Sequence, residues 1–538
     1  MNEWLIGIDA VMSIQAISMI ALGVAIGIVC GALPGLTATM AVALLLPITF
    51  TLDPLPGMML LVGVYGTTLY AGSIPAILIG APGTPSAAAT LIDGYPMARK
   101  GRAGEALTVS LVASVVGGLV GAVLLALFTP QLAGVALRFG PPEYFMIAVL
   151  ALTIIASVSG GKLSKGLISG MLGVAIGLVG MDPVQGFARM TFDMTELASG
   201  ISFIAVLIGL FGISEALTQI SRARKSKHYE RPSVGRFILG KGWFRRLGPA
   251  TGGSSLIGFF IGLLPGTGGD VASYVAYNET RRWSRKKDFG KGNSAGVAAA
   301  ESSNNASTAG SLAPTLVLGI PGDSVTAILI GALTVHGLQP GPQLFEGSPD
   351  LVYGTVFGLI LVNVLMLVFG LGGIRMWARV SSTPTEMLWP AVILLSLSGA
   401  FALRLNLMDS VVALAAGALG FWLIRGGYPL APLVIGLILG PMAESNLRLS
   451  LIINDGGFEW LARPIPIALI ILIVTAMVAT TLSSRRSARQ EAAQSVSTPS
   501  DSRGEPSAEH GSDQSEGSED SEGQGPTASP GQGPDQTK

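Results

Sequence analysis

Long apolar runs alternate along the chain with short polar segments. Clear examples of these runs are 109–128, 145–158, 201–217, 352–371, 408–424 and 465–481. Each run is close to the ~20 residues that a helix needs to cross the hydrocarbon core of a bilayer, or slightly shorter. The pattern therefore predicts an all-α, polytopic integral membrane protein with about 12 transmembrane helices.

The last part of the chain follows a different pattern. Residues 484–538 are rich in Ser, Gly, Glu, Asp, Gln and Pro and contain almost no large apolar residue. Such a composition cannot bury enough apolar surface to offset the entropy lost on ordering. We therefore predict a membrane body followed by a disordered acidic C-terminal tail over 484–538.

Three short motifs recur in the same order in the two halves of the membrane body. Leu-Pro-Gly occurs at 33–35 and 264–266, Ala-Gly-Ser at 71–73 and 309–311, and Gly-x-Pro-Gly at 80–83 and 319–322. The first motif is offset by 231 residues and the last by 239. These nearly equal offsets predict an internal duplication, with a first membrane repeat over 1–220, a basic cytoplasmic loop over 221–247 and a second membrane repeat over 248–483.

The loop charges predict how the two copies are oriented. In the first copy, the loop between the motifs carries Asp53 and no basic residue, whereas three basic residues follow at 99–102. In the second copy, a basic cluster lies between the motifs at 281–291, and the following loop at 336–350 has no Lys or Arg. Because Lys and Arg favour the cytoplasmic side, the copies are predicted to be inverted across the membrane. The N-terminus is then periplasmic and the C-terminal tail cytoplasmic.

Each copy contains two predicted helix breaks. Pro34 and Pro265 remove a backbone donor from an apolar run, and Gly35 and Gly266 allow unusual φ angles. The Gly-x-Pro-Gly segments are expected to turn in the same way. A broken helix exposes N–H groups that suit an anion and carbonyl groups that suit Na⁺ or a proton relay. Kinks without a ligand are the alternative, but four breaks in two inverted pairs favour a binding site.

Small and polar residues surround these breaks, and two polar stretches, 65–70 and 301–308, enter otherwise apolar sequence. Polar side chains at membrane depth usually face an interior cavity, although they also form hydrogen bonds between helices. The predicted substrate-binding residues are Gly35, Thr37, Thr67, Thr68, Gly83, Thr84, Ser86, Gly266, Thr267, Ser303, Asn304, Asn305, Gly322 and Ser324. The predicted cation-coupling residues are Asp270, Asp323 and Asn304.

Composition narrows the range of functions. Only 12% of the residues are charged, against roughly 25% in soluble proteins, and the formal net charge of zero predicts no nucleic-acid partner. The single cysteine, Cys30, cannot form an internal disulfide or a metal cluster. The segment 235–241 resembles a phosphate-binding loop, but Gly242 stands where Ser or Thr is needed. We therefore expect ion-coupled transport rather than an ATP-driven pump, with no cofactor beyond a coupling Na⁺ or H⁺.

Four segments together, 31–47, 65–96, 262–270 and 301–340, resemble the large membrane subunit of the tripartite tricarboxylate transporters, the TctA family. The overall pattern covers about residues 16–483. The resemblance implies a permease of the bacterial inner membrane that imports an organic carboxylate and is driven by a cation gradient. It also implies two protein partners, a small four-helix membrane subunit and a periplasmic solute-binding protein.

Two other functions remain open from the residues alone. A passive channel or facilitator is one of them, because inverted half-helices also occur in channels; saturable, accumulative uptake would exclude it. An intramembrane enzyme is the other, but it would need a nucleophile–base pair or a metal constellation. We find neither in the apolar segments, and we expect no enzymatic activity.

Overall fold

The computed structural model of the chain describes residues 2–158, 163–182, 185–223, 243–285, 287–380, 388–475 and 477–478. The described chain is almost entirely helical, as predicted. Most of the predicted basic loop at 221–247 and all of the tail predicted to be disordered at 484–538 lie outside the described residues.

In the first half of the chain, the described residues form twelve helices and one small hairpin. The helices are α1 Asn2–Val11, α2 Ile14–Ala32, α3 Ala38–Thr49, α4 Pro54–Ala71, α5 Ser73–Ile79, α6 Ala87–Arg99, α7 Ala103–Ala136, α8 Pro141–Val158, α9 Leu163–Gly177, α10 Thr195–Ala198, α11 Phe203–Leu207 and α12 Ser214–Ala223. Strands β1 Gly180–Met181 and β2 Ala188–Arg189 pair antiparallel between α9 and α10. A π-helical turn, Ile208–Ile213, joins α11 to α12.

The described part of the second half continues with ten helices and a short 3₁₀ turn, Glu459–Ala462. The helices are α13 Trp243–Gly262, α14 Gly268–Trp283, α15 Ser294–Leu318, α16 Ser324–Val335, α17 Pro342–Gly347, α18 Pro349–Val380, α19 Leu388–Ala402, α20 Leu407–Arg425, α21 Leu430–Ile453 and α22 Pro464–Thr475.

Many of these helices have the length and composition of membrane spans. Within the described residues, seven helical segments are long and apolar enough to cross a bilayer, and six shorter apolar helices accompany them. Leu394, Leu414 and Ile471 are exposed leucine and isoleucine side chains on three of the later helices. Such surfaces suit contact with lipid, and the fold is that of an all-α, multi-pass membrane protein.

The helices are interrupted where the Leu-Pro-Gly motifs predict. In the first copy, α2 ends at Ala32 and α3 begins at Ala38. In the second copy, α13 ends at Gly262 and α14 begins at Gly268. Gly35 and Gly266 adopt φ angles of 92° and 78°, which glycine reaches without steric cost.

The two Gly-x-Pro-Gly turns share one backbone conformation. Gly80 and Gly319 end their helices with φ angles of 71° and 68°. The N–H group of Gly80 donates to the carbonyl of Pro75, and that of Gly319 donates to the carbonyl of Pro314. Gly80 and Gly319 are 239 residues apart, as are Pro75 and Pro314. The shared backbone conformation at this spacing supports the predicted duplication.

Helix directions follow from contacts between the two copies. α4 runs parallel to α18, because Leu55 lies against Gly354 and Met59 lies against Gly358, one turn further along both helices. Each of these helices comes from a different copy. A helix of each repeat therefore packs along a helix of the other repeat, and we call this arrangement the exchange of helices.

α7 of the first copy likewise packs along α15 of the second copy. Gly117 contacts Ser302 and Gly121 contacts Ala306, so these two helices also run parallel. In contrast, α7 and α18 are antiparallel, because Leu111 contacts Gly370 whereas Gly118 contacts Asn363. It follows that α4 and α15, the equivalent helices of the two copies, run in opposite directions, as the inverted arrangement predicts.

Two polar clusters tie peripheral segments to this helical body. The carboxylate of Asp93 on α6 accepts hydrogen bonds from the backbone of the α14–α15 loop, with its Oδ1 2.8 Å from the amide nitrogens of Gly292 and Asn293. The β1–β2 hairpin is held to α21 by an ion pair between Arg189 and Glu444, with a nitrogen–oxygen distance of 2.6 Å. Both clusters join segments that are far apart in sequence.

Candidate functional site

Within each copy, the helix breaks are held by backbone contacts. In the second copy, the N–H group of Gly266 donates to the carbonyl of Gly322 at 2.6 Å, so its two breaks touch. In the first copy, the N–H group of Gly83 donates to the carbonyl of Gly72 at 3.0 Å. Gly83 also lies against the carbonyl of Gly31, at the end of α2. Each copy thus folds its second break back onto its own long helices.

Asp323 is the most firmly held acidic residue of the site. It is the N-cap of α16, where its Oδ1 accepts from the Thr326 amide at 2.8 Å and from the Thr326 hydroxyl at 3.0 Å. Its Oδ2 accepts a short hydrogen bond from the hydroxyl of Tyr65 on α4. This bond links the two copies across 258 sequence positions. Helix N-termini stabilise negative charge, which fits a carboxylate here.

Asp270 lies near Asp323 and is more open. It stands in the first turn of α14, its side chain is exposed, and it interacts electrostatically with Asp323. The backbone N–H group of Ser86, from the first copy, donates to its carboxylate. Each carboxylate of the second copy therefore receives a hydrogen bond from the first copy. Two carboxylates that interact in this way repel each other, and a cation bound near both reduces that repulsion.

Asn304 contributes an unused acceptor beside this pair. Its side-chain amide nitrogen lies 3.5 Å from the carbonyl of Leu69, and its buried Oδ1 has no hydrogen-bond partner among the described residues. Gly269 packs directly against that Oδ1. Thr308, which continues the same face of α15, also has a buried hydroxyl oxygen without a partner among the described residues. Buried polar groups normally have partners, so this face is suited to a ligand or to water.

Hydroxyl groups of the first copy line its second break. The hydroxyls of Thr84 and Ser86 lie 3.1 Å apart, and both side chains are buried. Thr84 packs against Gly72, and Ser86 precedes the first residue of α6. The structure therefore places these two predicted substrate-binding residues next to Asp270.

Three other predicted substrate-binding residues serve helix packing. The hydroxyl of Thr67 donates to the carbonyl of Gly63 at 2.6 Å, and that of Thr68 donates to the carbonyl of Gly27 on α2 at 3.1 Å. Ser303 lies 3.2 Å from the carbonyl of Ala272 on α14. These contacts fit the alternative that such polar groups form hydrogen bonds within and between helices.

The remaining predicted residues cap helices or lie at the edge of the cluster. Thr37 accepts from the amide of Met40 as the N-cap of α3, and the hydroxyl of Thr267 donates to carbonyls of its own break. Asn305 donates to the carbonyl of Glu301, and Ser324 is the first residue of α16. Gly35 packs against the side chain of Gln219 on α12.

The acidic groups are distributed unequally between the copies. With the 239-residue offset, Thr84 occupies the position in the first copy that Asp323 occupies in the second. With the 231-residue offset, Thr39 corresponds to Asp270. The duplicated framework therefore carries two carboxylates on one side and two hydroxyls on the other. This asymmetry suits two different ligands, a cation and an anion.

Sequence reasoning missed two residues that the structure brings into or near this region. Tyr65 holds Asp323, and Glu301 is a buried acid on α15. Both belong to the polar stretches at 65–70 and 301–308, which were the available signal, but their partners are distant in sequence. Among the described residues, no group of three or more His, Cys, Asp and Glu side chains is arranged to hold a metal.

A separate cavity of about 360 Å³ lies at the ends of α2, α4 and α18. Ser13, Gln15, Asp53, Ser348 and Asp350 contribute to its lining. None of the four helix breaks lines this cavity. It is therefore distinct from the aspartate pair.

Comparisons with known proteins find one matching family and two relatives. The profile of the "Tripartite tricarboxylate transporter TctA family" matches residues 17–435. The "Uncharacterized 52.8 kDa protein in TAR-I ttuC' 3'region" of Agrobacterium vitis is 38% identical over 472 residues, covering 87% of this chain and 94% of the relative.

A second Agrobacterium vitis relative, the "Uncharacterized protein in TAR-II ttuC' 3'region", is 34% identical over 236 residues. That match covers 44% of this chain and 98% of the relative. No solved structure matches the chain with significance. The family match confirms the resemblance found in the motifs, and the chain belongs to the tripartite tricarboxylate transporter TctA family.

Proposed function

We propose that this chain is the permease subunit of a tripartite secondary transporter, and that it imports an organic carboxylate coupled to a cation gradient. The single observation that carries the proposal is that Asp270 and Asp323 interact electrostatically and that each is held by a group from the opposite copy. In this proposal, the permease lies in the bacterial inner membrane with a periplasmic N-terminus and a cytoplasmic tail.

The coupling cation, Na⁺ or H⁺, binds between the two carboxylates. Oxygen atoms of Asp270 and Asp323 and the unpartnered Oδ1 of Asn304 are the ligands available to it. Transporters of this architecture bind coupling ions at broken helices near the membrane centre. Since Tyr65 and Ser86 come from the first copy, a cation that neutralises the pair changes the contacts between the copies.

The organic anion binds beside the cation, on the hydroxyl-rich side. Thr84 and Ser86 offer hydroxyl donors, and Ser86 lies at the start of α6, where the helix dipole favours negative charge. A carboxylate substrate next to two unneutralised aspartates would be strongly repelled. Cation binding therefore precedes or accompanies substrate binding, which couples the two fluxes.

The exposed face of α14 supplies a polar route to the site. Asp270, Tyr274 and Asn278 are exposed and lie one turn apart along this face. The face continues toward the basic cluster at 281–291, which the loop charges assign to the cytoplasm. We propose that water and released substrate follow this face to the cytoplasm.

Two protein partners complete the proposed transporter. A periplasmic solute-binding protein delivers the carboxylate, and a small four-helix membrane subunit binds alongside the permease. The family supports partner subunits in general, because its transporters are tripartite. The identity of the carboxylate follows from what the cognate binding protein captures.

Asp270→Asn tests the cation site. We expect the variant to lose gradient-driven uptake of the labelled carboxylate in proteoliposomes that contain all three subunits. Asp455→Asn is the matched control, because Asp455 lies exposed in a loop after α21. If uptake by Asp270→Asn depends on the Na⁺ or H⁺ gradient to the same extent as uptake by the unaltered chain, the proposed cation site is wrong.

The passive alternative predicts a different result in the same assay. A channel or facilitator brings the carboxylate to the external concentration and no further, with or without a cation gradient. Accumulation above that concentration, abolished when the gradient is dissipated, supports coupled transport.

A further inference from the structure

Glu301 is a second kind of acidic site in the membrane body. Its side chain is fully buried in α15, separate from the aspartate pair. Its Oε1 accepts a short hydrogen bond from Thr90 on α6, and its Oε2 accepts from Ser114 on α7 at 2.9 Å. Among the described residues, no Lys, Arg or His forms an ion pair with it.

The charged and ionisable groups around Glu301 are few. Tyr70 on α4 interacts with it electrostatically, and the Tyr70 hydroxyl has no hydrogen-bond partner among the described residues. Asp93, the next acid on α6, is already bonded to Tyr277 and to loop amides. Glu105 on α7 is paired with Arg102. The immediate partners of Glu301 are therefore hydroxyl groups.

A hydroxyl shell suits a carboxyl group that gains and loses a proton. An ionised carboxylate without a positive partner is unfavourable in a protein interior by several kcal/mol. A hydroxyl donates to the ionised form and accepts from the protonated form, so Thr90 and Ser114 serve both states. No rearrangement of the neighbouring helices is needed when the proton moves.

A chain of hydroxyls leads from Glu301 toward the helix breaks. The hydroxyl of Ser110 interacts with the Glu301 carboxyl and lies 2.6 Å from the hydroxyl of Ser73, whose own proton is donated to the carbonyl of Tyr70. Ser73 begins α5 directly after Gly72, the residue against which Thr84 packs. The hydroxyls thus form a continuous series from α15, through α7, to the first-copy break, and a proton path requires such a series.

We propose that Glu301 is a proton-binding site of the transporter, distinct from the aspartate pair, and that Ser110 and Ser73 connect it to the first-copy break. The inference rests on the proposed transport function. On release, the O–H bond of the Glu301 carboxyl breaks and the electron pair stays on the carboxylate. As the proton binds to the hydroxyl oxygen of Ser110, Ser110 passes its own proton to Ser73, and Ser73 in turn releases its proton to water at the first-copy break. The reverse sequence restores the acid.

Glu301→Gln tests the proposal in proteoliposomes that contain all three subunits. The amide keeps the size and hydrogen-bonding capacity of the side chain but carries no exchangeable acid. We expect uptake driven by a pH gradient to be lost, while exchange of labelled for unlabelled carboxylate at equal pH is retained. Glu346→Gln, an exposed residue in α17, is the matched control and should behave as the unaltered chain.

A measurement without substrate separates this proposal from the transport proposal. In infrared difference spectra of the purified chain on raising the pH, we expect a buried carboxylic-acid band. It should be missing in Glu301→Gln and present in Asp270→Asn. A band that persists in Glu301→Gln, or pH-driven uptake that survives in it, would overturn the proton site.

Ser110→Ala provides a second variant in case the glutamine variant does not fold. It keeps the acid but removes the bridging hydroxyl between Glu301 and Ser73. We expect the infrared band to remain and pH-driven uptake to slow. Unchanged pH-driven uptake would overturn the proposed path.

Discussion

At the residue scale, the central feature is a tyrosine that holds an aspartate of the opposite copy. Tyr65 is fully buried, and its hydroxyl donates to Asp323 at the start of α16. Hydrogen bonds to charged groups contribute about 1.5–3 kcal/mol, more than bonds between neutral groups. The bond therefore sets both the position of the carboxylate and the contact between the copies.

Tyr65→Phe removes this bond with little change in side-chain volume. We expect the half-saturating concentration of the coupling cation to fall by roughly 10- to 100-fold, because the free carboxylate loses a charge-assisted bond of ~1.5–3 kcal/mol and is then stabilised more by the cation. Initial uptake rates measured against external Na⁺, or against pH, report this shift.

Tyr353→Phe is the matched control for that substitution. It also loses a bond to a carboxylate, because the Tyr353 hydroxyl lies 3.0 Å from an oxygen of Glu3. That pair joins α18 to α1, away from the aspartates. Equal shifts in the two variants would contradict a specific role for Tyr65.

At the element scale, local chemistry explains the helix breaks. The sequence predicts breaks at Pro34 and Pro265 because proline and glycine cannot continue a helix at those points, and α2 and α13 end there. It does not predict that α4 and α5 separate at Gly72 while their counterpart α15 is continuous. Nor does it predict the partner of Asp323, because the bond to Tyr65 depends on how distant helices pack.

Gly319→Ala tests the importance of the shared turn. The φ angle of 68° costs a non-glycine residue roughly 1–2 kcal/mol. In addition, a Cβ atom at this position would lie 2.6 Å from the carbonyl oxygen of Pro340. We expect the variant to unfold at a lower temperature than the unaltered chain in the same detergent.

Gly134→Ala is the control for that measurement. Gly134 lies in α7, and a Cβ atom there would meet nothing within 4 Å. Alanine favours helix relative to glycine, so stability should be unchanged or higher. A fall in unfolding temperature as large as that of Gly319→Ala would contradict the role assigned to the turn.

At the scale of the whole molecule, the inversion of the two copies determines the proposed mechanism. The sequence predicts the inversion from loop charges, and the contacts of α4, α7, α15 and α18 independently require it. The exchange of helices between copies could not be predicted, because apolar helices of similar composition leave their pairing open. The aspartates of the second copy and the hydroxyl residues of the first copy are brought together by this exchange.

Cysteine labelling tests the inversion in membranes. Replacing Cys30, the single cysteine, gives a background into which Thr51→Cys or Lys287→Cys is introduced. Both positions are exposed, and they precede the equivalent helices α4 and α15. A membrane-impermeant maleimide should label Thr51→Cys in intact cells and Lys287→Cys only after permeabilisation. Labelling of both from one side would refute the inversion.

The exchange of helices also has a consequence for biosynthesis. α18, which packs along α4, begins 278 residues after α4 ends, and ribosomes add ~5–20 residues per second. The newly inserted first half therefore waits about 15–55 seconds in the bilayer without its permanent neighbour. During that interval the polar groups of α4, including the hydroxyl of Tyr65, must be kept out of contact with lipid by other means. Insertion machinery and membrane proteases, which act on such unfinished chains, then influence how much transporter a cell accumulates.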